Sequence, residues 1–114
     1  MHTLHAIPAA LAVAVALIAP ASAQDASATR SLAATCTACH GTDGISVGGV
    51  PPSLAGQSKD YLLLQLKDYK AGKRPATIMH QHAKGYTDEQ LERIAAYFAA
   101  VKPGTAAAAP RAGN

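Results

Sequence analysis

An all-α fold is what this sequence predicts: three main helices packed around one covalently held group that supplies much of the core. Three observations carry that expectation. Three segments place apolar residues at helical spacing, with capping residues or glycine at their ends. One Phe, four Tyr and no Trp leave the 114-residue chain little bulk for a core of its own. Finally, Cys36-Thr37-Ala38-Cys39-His40 has the C-x-x-C-H form through which a c-type haem is attached.

The elements follow in chain order. An apolar, alanine-rich run from Ala6 to Ala19 precedes Ala21-Ser22-Ala23, an A-x-A cleavage site that leaves Gln24 as the mature N-terminus. Pro8 interrupts the run and Pro20 ends it short of the ~20 apolar residues that a membrane span needs, so residues 1–23 read as a cleavable secretory signal peptide, although Met1 to His5 hold no Lys or Arg. The expected location is the periplasm, with no permanent membrane span. Removal of residues 1–23 leaves 91 of the 114 residues and every charged side chain, so the net charge stays +3. One domain is expected over residues 24–102, followed by a disordered alanine, proline and glycine tail over 103–114.

Within that domain, Ser27 to Thr35 reads as a short first helix with Ala28, Leu32 and Cys36 on one face. Gly41 to Gly56 holds five Gly and two Pro and reads as loop. Ser58 is the expected N-cap of a second helix through Tyr69, closed by Gly72, with Leu62, Leu66 and Tyr69 inward and Lys59, Lys67 and Lys70 facing water. Thr87-Asp88-Glu89-Gln90 is a capping box opening a third helix to about Ala100, whose apolar stripe is Leu91, Ile94, Ala95 and Phe98.

The C-x-x-C-H run carries the chemistry. Each thiol of Cys36 and Cys39 can add across one porphyrin vinyl group, and His40 is then held under the iron as the proximal ligand. One haem c, covalently bound, is therefore the expected cofactor, and no disulfide is expected. A thioredoxin-like dithiol would sit in a βαβ pattern, which is not visible, and a zinc site would need two further ligands. Met79 is the candidate sixth ligand: it is the sole methionine after the signal and lies between the second and third helices, in a segment expected to be loop. A core-filling role for Met79 and ligation by His80 or His82 are the alternatives, with adjacent His80 needing the smaller rearrangement; otherwise both histidines are exposed loop residues.

These residues resemble the class I c-type cytochromes over positions 27–101. Cys36, Cys39 and His40 match the haem motif, Pro52 and Leu54 the proximal loop, and Met79 the distal ligand. The resemblance implies the small class I cytochrome c fold, with the carbonyl of Pro52 accepting the Nδ1–H of His40. It also implies a crossing of first and last helices, here Ala28 and Leu32 against Ile94, Tyr97 and Phe98, with Ala28 where many members have Gly. Gly72-Lys73-Arg74, Thr77-Ile78-Met79 and Lys84-Gly85-Tyr86-Thr87-Asp88 are similar to the monohaem cytochrome subunit of flavocytochrome c sulfide dehydrogenases. That likeness implies an exported flavoprotein, or another redox protein, as partner.

Three function classes are thus in view. The first is an electron-transfer protein that is not itself an enzyme, either a dehydrogenase subunit or a free carrier between a quinol-oxidising complex and a terminal oxidase. The second is a haem sensor or enzyme with a labile sixth ligand, and the third a non-haem thiol or metal module. Lys70, Lys73, Arg74 and Lys84 flank Met79 and form either a solvated face or a patch that orients an acidic partner. Nucleic acid is not an expected partner of an exported domain of modest charge.

Overall fold

In the computed structural model, residues 21–104 are described; most of the expected signal peptide, up to Pro20, and the expected tail beyond Gly104 lie outside the described residues. Among these residues there are four α-helices and no strand: α1 (Ala21–His40), α2 (Lys59–Lys70), α3 (Met79–Lys84) and α4 (Asp88–Ala100), with a 3-10 turn at Thr42–Gly44.

Helix α1 is far longer than the expected Ser27–Thr35. Nothing in its Ala/Ser/Thr-rich sequence interrupts it before Gly41, so it runs through the whole C-x-x-C-H motif. Its inward stripe also differs by one residue. Thr29, Leu32, Ala33, Cys36 and His40 are buried or half-buried, whereas Ala28 is exposed. Steps of four residues drift by about 40° on a 3.6-residue helix, so Ala28 lies about 80° off the face carrying Cys36. Ala33, 1% exposed, is therefore the small residue at the crossing with α4.

Helix α2 starts as the sequence suggests: Ser58 accepts from the amide of Tyr61. It ends in a Schellman motif around Gly72 (φ +72°), with the Gly72 amide donating to the Tyr69 carbonyl at 3.1 Å and the Lys73 amide to that of Asp68 at 2.9 Å. Helix α4 carries the full capping box, Thr87 Oγ1 accepting from the Gln90 amide and Gln90 Oε1 from the Thr87 amide.

Helix α4 packs against both α1 and α2, and α3 packs on α2. The core cluster is Ala33, Leu62, Ile94, Ala95 and Phe98, with Leu32, Leu54, Leu63 and Leu66 half-buried around it. Arg93 spans the α1–α4 crossing, its Nε donating to Thr29 Oγ1 at 3.0 Å and its guanidinium pairing with Asp25 at 3.2 Å. Tyr97 and Phe98 meet edge to face at 5.1 Å, and the Tyr97 hydroxyl donates to Asp43 at 3.1 Å, tying α4 to the 3-10 turn. Burial, with help from the neighbouring Asp43 carboxylate, pushes the Tyr97 phenol above its ordinary value.

Candidate haem site

Cys36, Cys39 and His40 stand at i, i+3 and i+4 on the last turn of α1, so a single helical face presents two thiols and an imidazole. His40 is the one buried polar or charged side chain among the described residues. Directly after it the chain turns through Gly41 (φ +86°), where a Cβ would stand 2.1 Å from the Ile45 carbonyl oxygen. Only glycine fits so tight a return.

The loop that follows is closed by its own backbone. The Gly44 carbonyl accepts from the amides of Leu54 (2.7 Å) and Ala55 (3.1 Å), and Ser53 Oγ accepts from the Ser46 amide at 2.9 Å. This closure holds Pro52 with its carbonyl 2.6 Å from His40 Nδ1. A carbonyl can only accept, so Nδ1 carries the proton and Nε2 keeps its lone pair for a metal. The same bond fixes the ring plane and makes the imidazole a stronger donor.

Cys36 is half-buried and Cys39 exposed, and neither is in a disulfide. Burial pushes the Cys36 thiol above its ordinary value, partly offset by the hydroxyl of Thr35. The motif also ends a helix rather than opening one, so the helix dipole disfavours thiolate. Redox dithiols need the reverse of both conditions. For zinc, no group of three His, Cys, Asp or Glu side chains comes together among the described residues.

Met79 is the first residue of α3, not part of a loop, and is half-buried, as is His80; His82 is exposed. The sequence offers little sign of this helix, since its N-cap Ile78 makes no side-chain capping bond. What fixes it is packing on α2 with Ala83 1% exposed.

The basic group around Met79 divides in two. Lys70 Nζ donates to the Tyr86 carbonyl and pairs with Asp88, both at 2.8 Å, and is half-buried rather than facing water. Arg74 bonds Gln65 and lies 4.8 Å over the Tyr69 ring. Lys73 and Lys84 are exposed. Tyr86 is a junction that no periodicity could reveal: its hydroxyl lies 2.5 Å from Thr35 Oγ1 on α1, 51 residues away in sequence.

A c-type haem fits this donor set: two thiols one turn apart, an adjacent imidazole poised through Nε2, and a thioether on a separate element. Large apolar side chains also stand exposed in the loop after the motif (Val47, Val50), on α2 (Leu64) and beside Met79 (Ile78). The site and helices together define a small all-α haem protein. The chain belongs to the cytochrome c family, whose profile matches residues 26–102. It is 49% identical over 67 residues to the cytochrome subunit of sulfide dehydrogenase from Chlorobaculum tepidum, a match covering 59% of this chain and 60% of that protein. It is 43% identical over 79 residues to cytochrome c-554(548) from Halomonas halodenitrificans, covering 67% of this chain and 95% of the relative. Among solved structures, reduced cytochrome c4 from Pseudomonas stutzeri aligns with a TM-score of 0.62 at 42% identity, over 68% of this chain and 45% of that one. The matched segment is thus little more than half of the sulfide dehydrogenase subunit and under half of cytochrome c4.

Membership of the class I c-type cytochromes implies covalent haem c and a part in electron transfer. No helix among the described residues is long and apolar enough to cross a membrane.

Proposed function

We propose that this chain, exported to the periplasm and cleaved after Ala23, holds one haem c through Cys36 and Cys39, with His40 and Met79 as axial ligands and Pro52 fixing His40. When bound, the haem supplies one-electron exchange between ferric and ferrous iron. His40 and Met79 would hold the iron and Cys36 and Cys39 the porphyrin, with the Pro52 carbonyl orienting the imidazole through Nδ1. Met79→His tests the assignment: the weak far-red band of sulfur-ligated ferric haem disappears, and the potential falls by on the order of 0.1 V within the ~0.8 V that axial ligands span. Should the wild-type protein lack that band while His80→Ala changes its spectrum, His80 is the ligand.

The partner we propose is an exported flavoprotein that oxidises sulfide and passes electrons singly to this chain. The observation that carries this reading is the 49% identity to the sulfide dehydrogenase cytochrome subunit. Exposed Lys73 and Lys84, close in sequence to Met79, suit an acidic docking face. Co-expressed with that flavoprotein, the chain copurifies and is reduced on addition of sulfide, and Lys73→Glu with Lys84→Glu slows the reduction most at low salt. The second reading, a free carrier, is favoured by the Halomonas relative, 95% of which the match covers. Rapid reduction by a quinol-oxidising complex, with no binding to the flavoprotein, decides for the carrier.

A further inference from the structure

Three elements meet at Tyr86. Its carbonyl accepts from Nζ of Lys70, the last residue of α2, at 2.8 Å. Its hydroxyl lies 2.5 Å from Oγ1 of Thr35, the residue before Cys36 on α1. The same Lys70 ammonium pairs at 2.8 Å with Asp88, the first residue of α4. One side chain therefore joins the two ends of the segment between α2 and α4, and this segment carries Met79 and α3.

That segment has little to hold it from within. At six residues α3 is too short to persist alone, and its N-terminus has no side-chain cap. Its entry is secured by the turn at Gly72, where the amides of Lys73 and Arg74 donate to the Asp68 carbonyl at 2.9 and 3.2 Å. Its exit depends on Tyr86, whose backbone is held by Lys70 and whose ring is held by Thr35. The half-buried bond to the carbonyl matters more than the exposed ion pair, because solvent screens the latter.

We propose that Lys70, Tyr86 and Thr35 form a clip that ties the Met79 segment to the C-x-x-C-H helix, which makes Lys70 and Tyr86 positioning residues for the distal ligand. The part concerning ligation rests on Met79 binding the iron. The clip itself rests on the bonds described. Lys70 is thereby withdrawn from partner docking, and partner recognition on this side is left to Lys73 and Lys84.

The test uses the haem-loaded protein and compares wild type, Lys70→Met, Lys70→Arg and Tyr86→Phe. Lys70→Met keeps the aliphatic stem and removes the ammonium, so amide exchange over residues 78–86 should speed by about tenfold or more, the scale of one charge-assisted hydrogen bond. Exchange within α4, at residues 94–98, should not change. Imidazole titrated against the ferric protein should abolish the far-red band at a concentration lowered by a similar factor. Tyr86→Phe should act in the same direction through the lost Thr35 bond, and Lys70→Arg should restore both readouts. Unchanged exchange over 78–86 in Lys70→Met and Tyr86→Phe, or an equal acceleration throughout α4, overturns the clip. A wild-type protein without the far-red band overturns the Met79 assignment instead, and the exchange measurement still decides the clip.

Discussion

Gly44 shows how much of the proximal loop rests on one residue. It is buried at φ +75°, and a Cβ there would lie 2.6 and 2.8 Å from two ring carbons of Phe98, which is itself 1% exposed and has no room to swing. Its carbonyl also holds Leu54 and Ala55, closing the loop that presents Pro52 to His40. Gly44→Ala should therefore lose about 3 kcal/mol, combining ~1–2 for the left-handed backbone with ~1–3 for overpacking. Gly48→Ala is the control, since Gly48 shares a positive φ but has nothing within 4 Å of an added Cβ. Urea melts of the two haem-loaded variants separate strain from packing, and equal losses would sink the packing argument. The cysteines and His40 are legible in the sequence because their spacing is itself the chemistry. Gly44 is not, since five glycines in one loop look alike until Phe98 arrives from α4.

At the level of elements, α2 and α4 begin where their capping residues stand, because a cap is a bond between neighbours in sequence. Helix α3 and the extent of α1 escape such reading. Two ion pairs join α2 to α4: Lys59 to Glu92 at 2.7 Å and Lys70 to Asp88 at 2.8 Å. In each, the hydrogen bond from the lysine is the main cause that holds the carboxyl below its ordinary value. A carboxyl whose pKa is lower when folded stabilises the fold above its unfolded value, near 4.5 for Glu92 and 3.8 for Asp88, and loses that contribution as pH falls through the folded value. The melting temperature should accordingly drop between about pH 5 and about pH 3. Glu92→Gln should flatten that slope, and 1 M salt should weaken it in the wild type, since both pairs are exposed to solvent. A slope that neither change alters assigns the acid sensitivity to other groups.

For the whole molecule the decisive quantity is core size. Among the described residues, four of the eight buried hydrophobic ones are alanines, and the largest fully buried side chains include Phe98, Leu91 and Ile94. Such a core is thin for a domain of this length without an added hydrophobe. Cys36→Ala with Cys39→Ala should therefore abolish covalent haem and leave the chain largely unfolded, read as lost helical circular dichroism and a non-cooperative melt. A double variant that melts cooperatively at the wild-type temperature would show that the helices need no covalent group.

The sequence by itself determined what depends on near neighbours: the C-x-x-C-H turn, the caps of α2 and α4, and the apolar stripe Leu91, Ile94, Ala95 and Phe98. Each is a matter of spacing within a few residues, where helical geometry leaves little choice. Tertiary structure decided what depends on residues far apart. The inward face of α1 shifted from Ala28 to Ala33 because α4 sets where α1 is covered, and the Met79 segment became helical because α2 buries Ala83. Lys70 is half-buried instead of facing water because Tyr86 and Asp88, remote in sequence, bring two acceptors within reach of one ammonium.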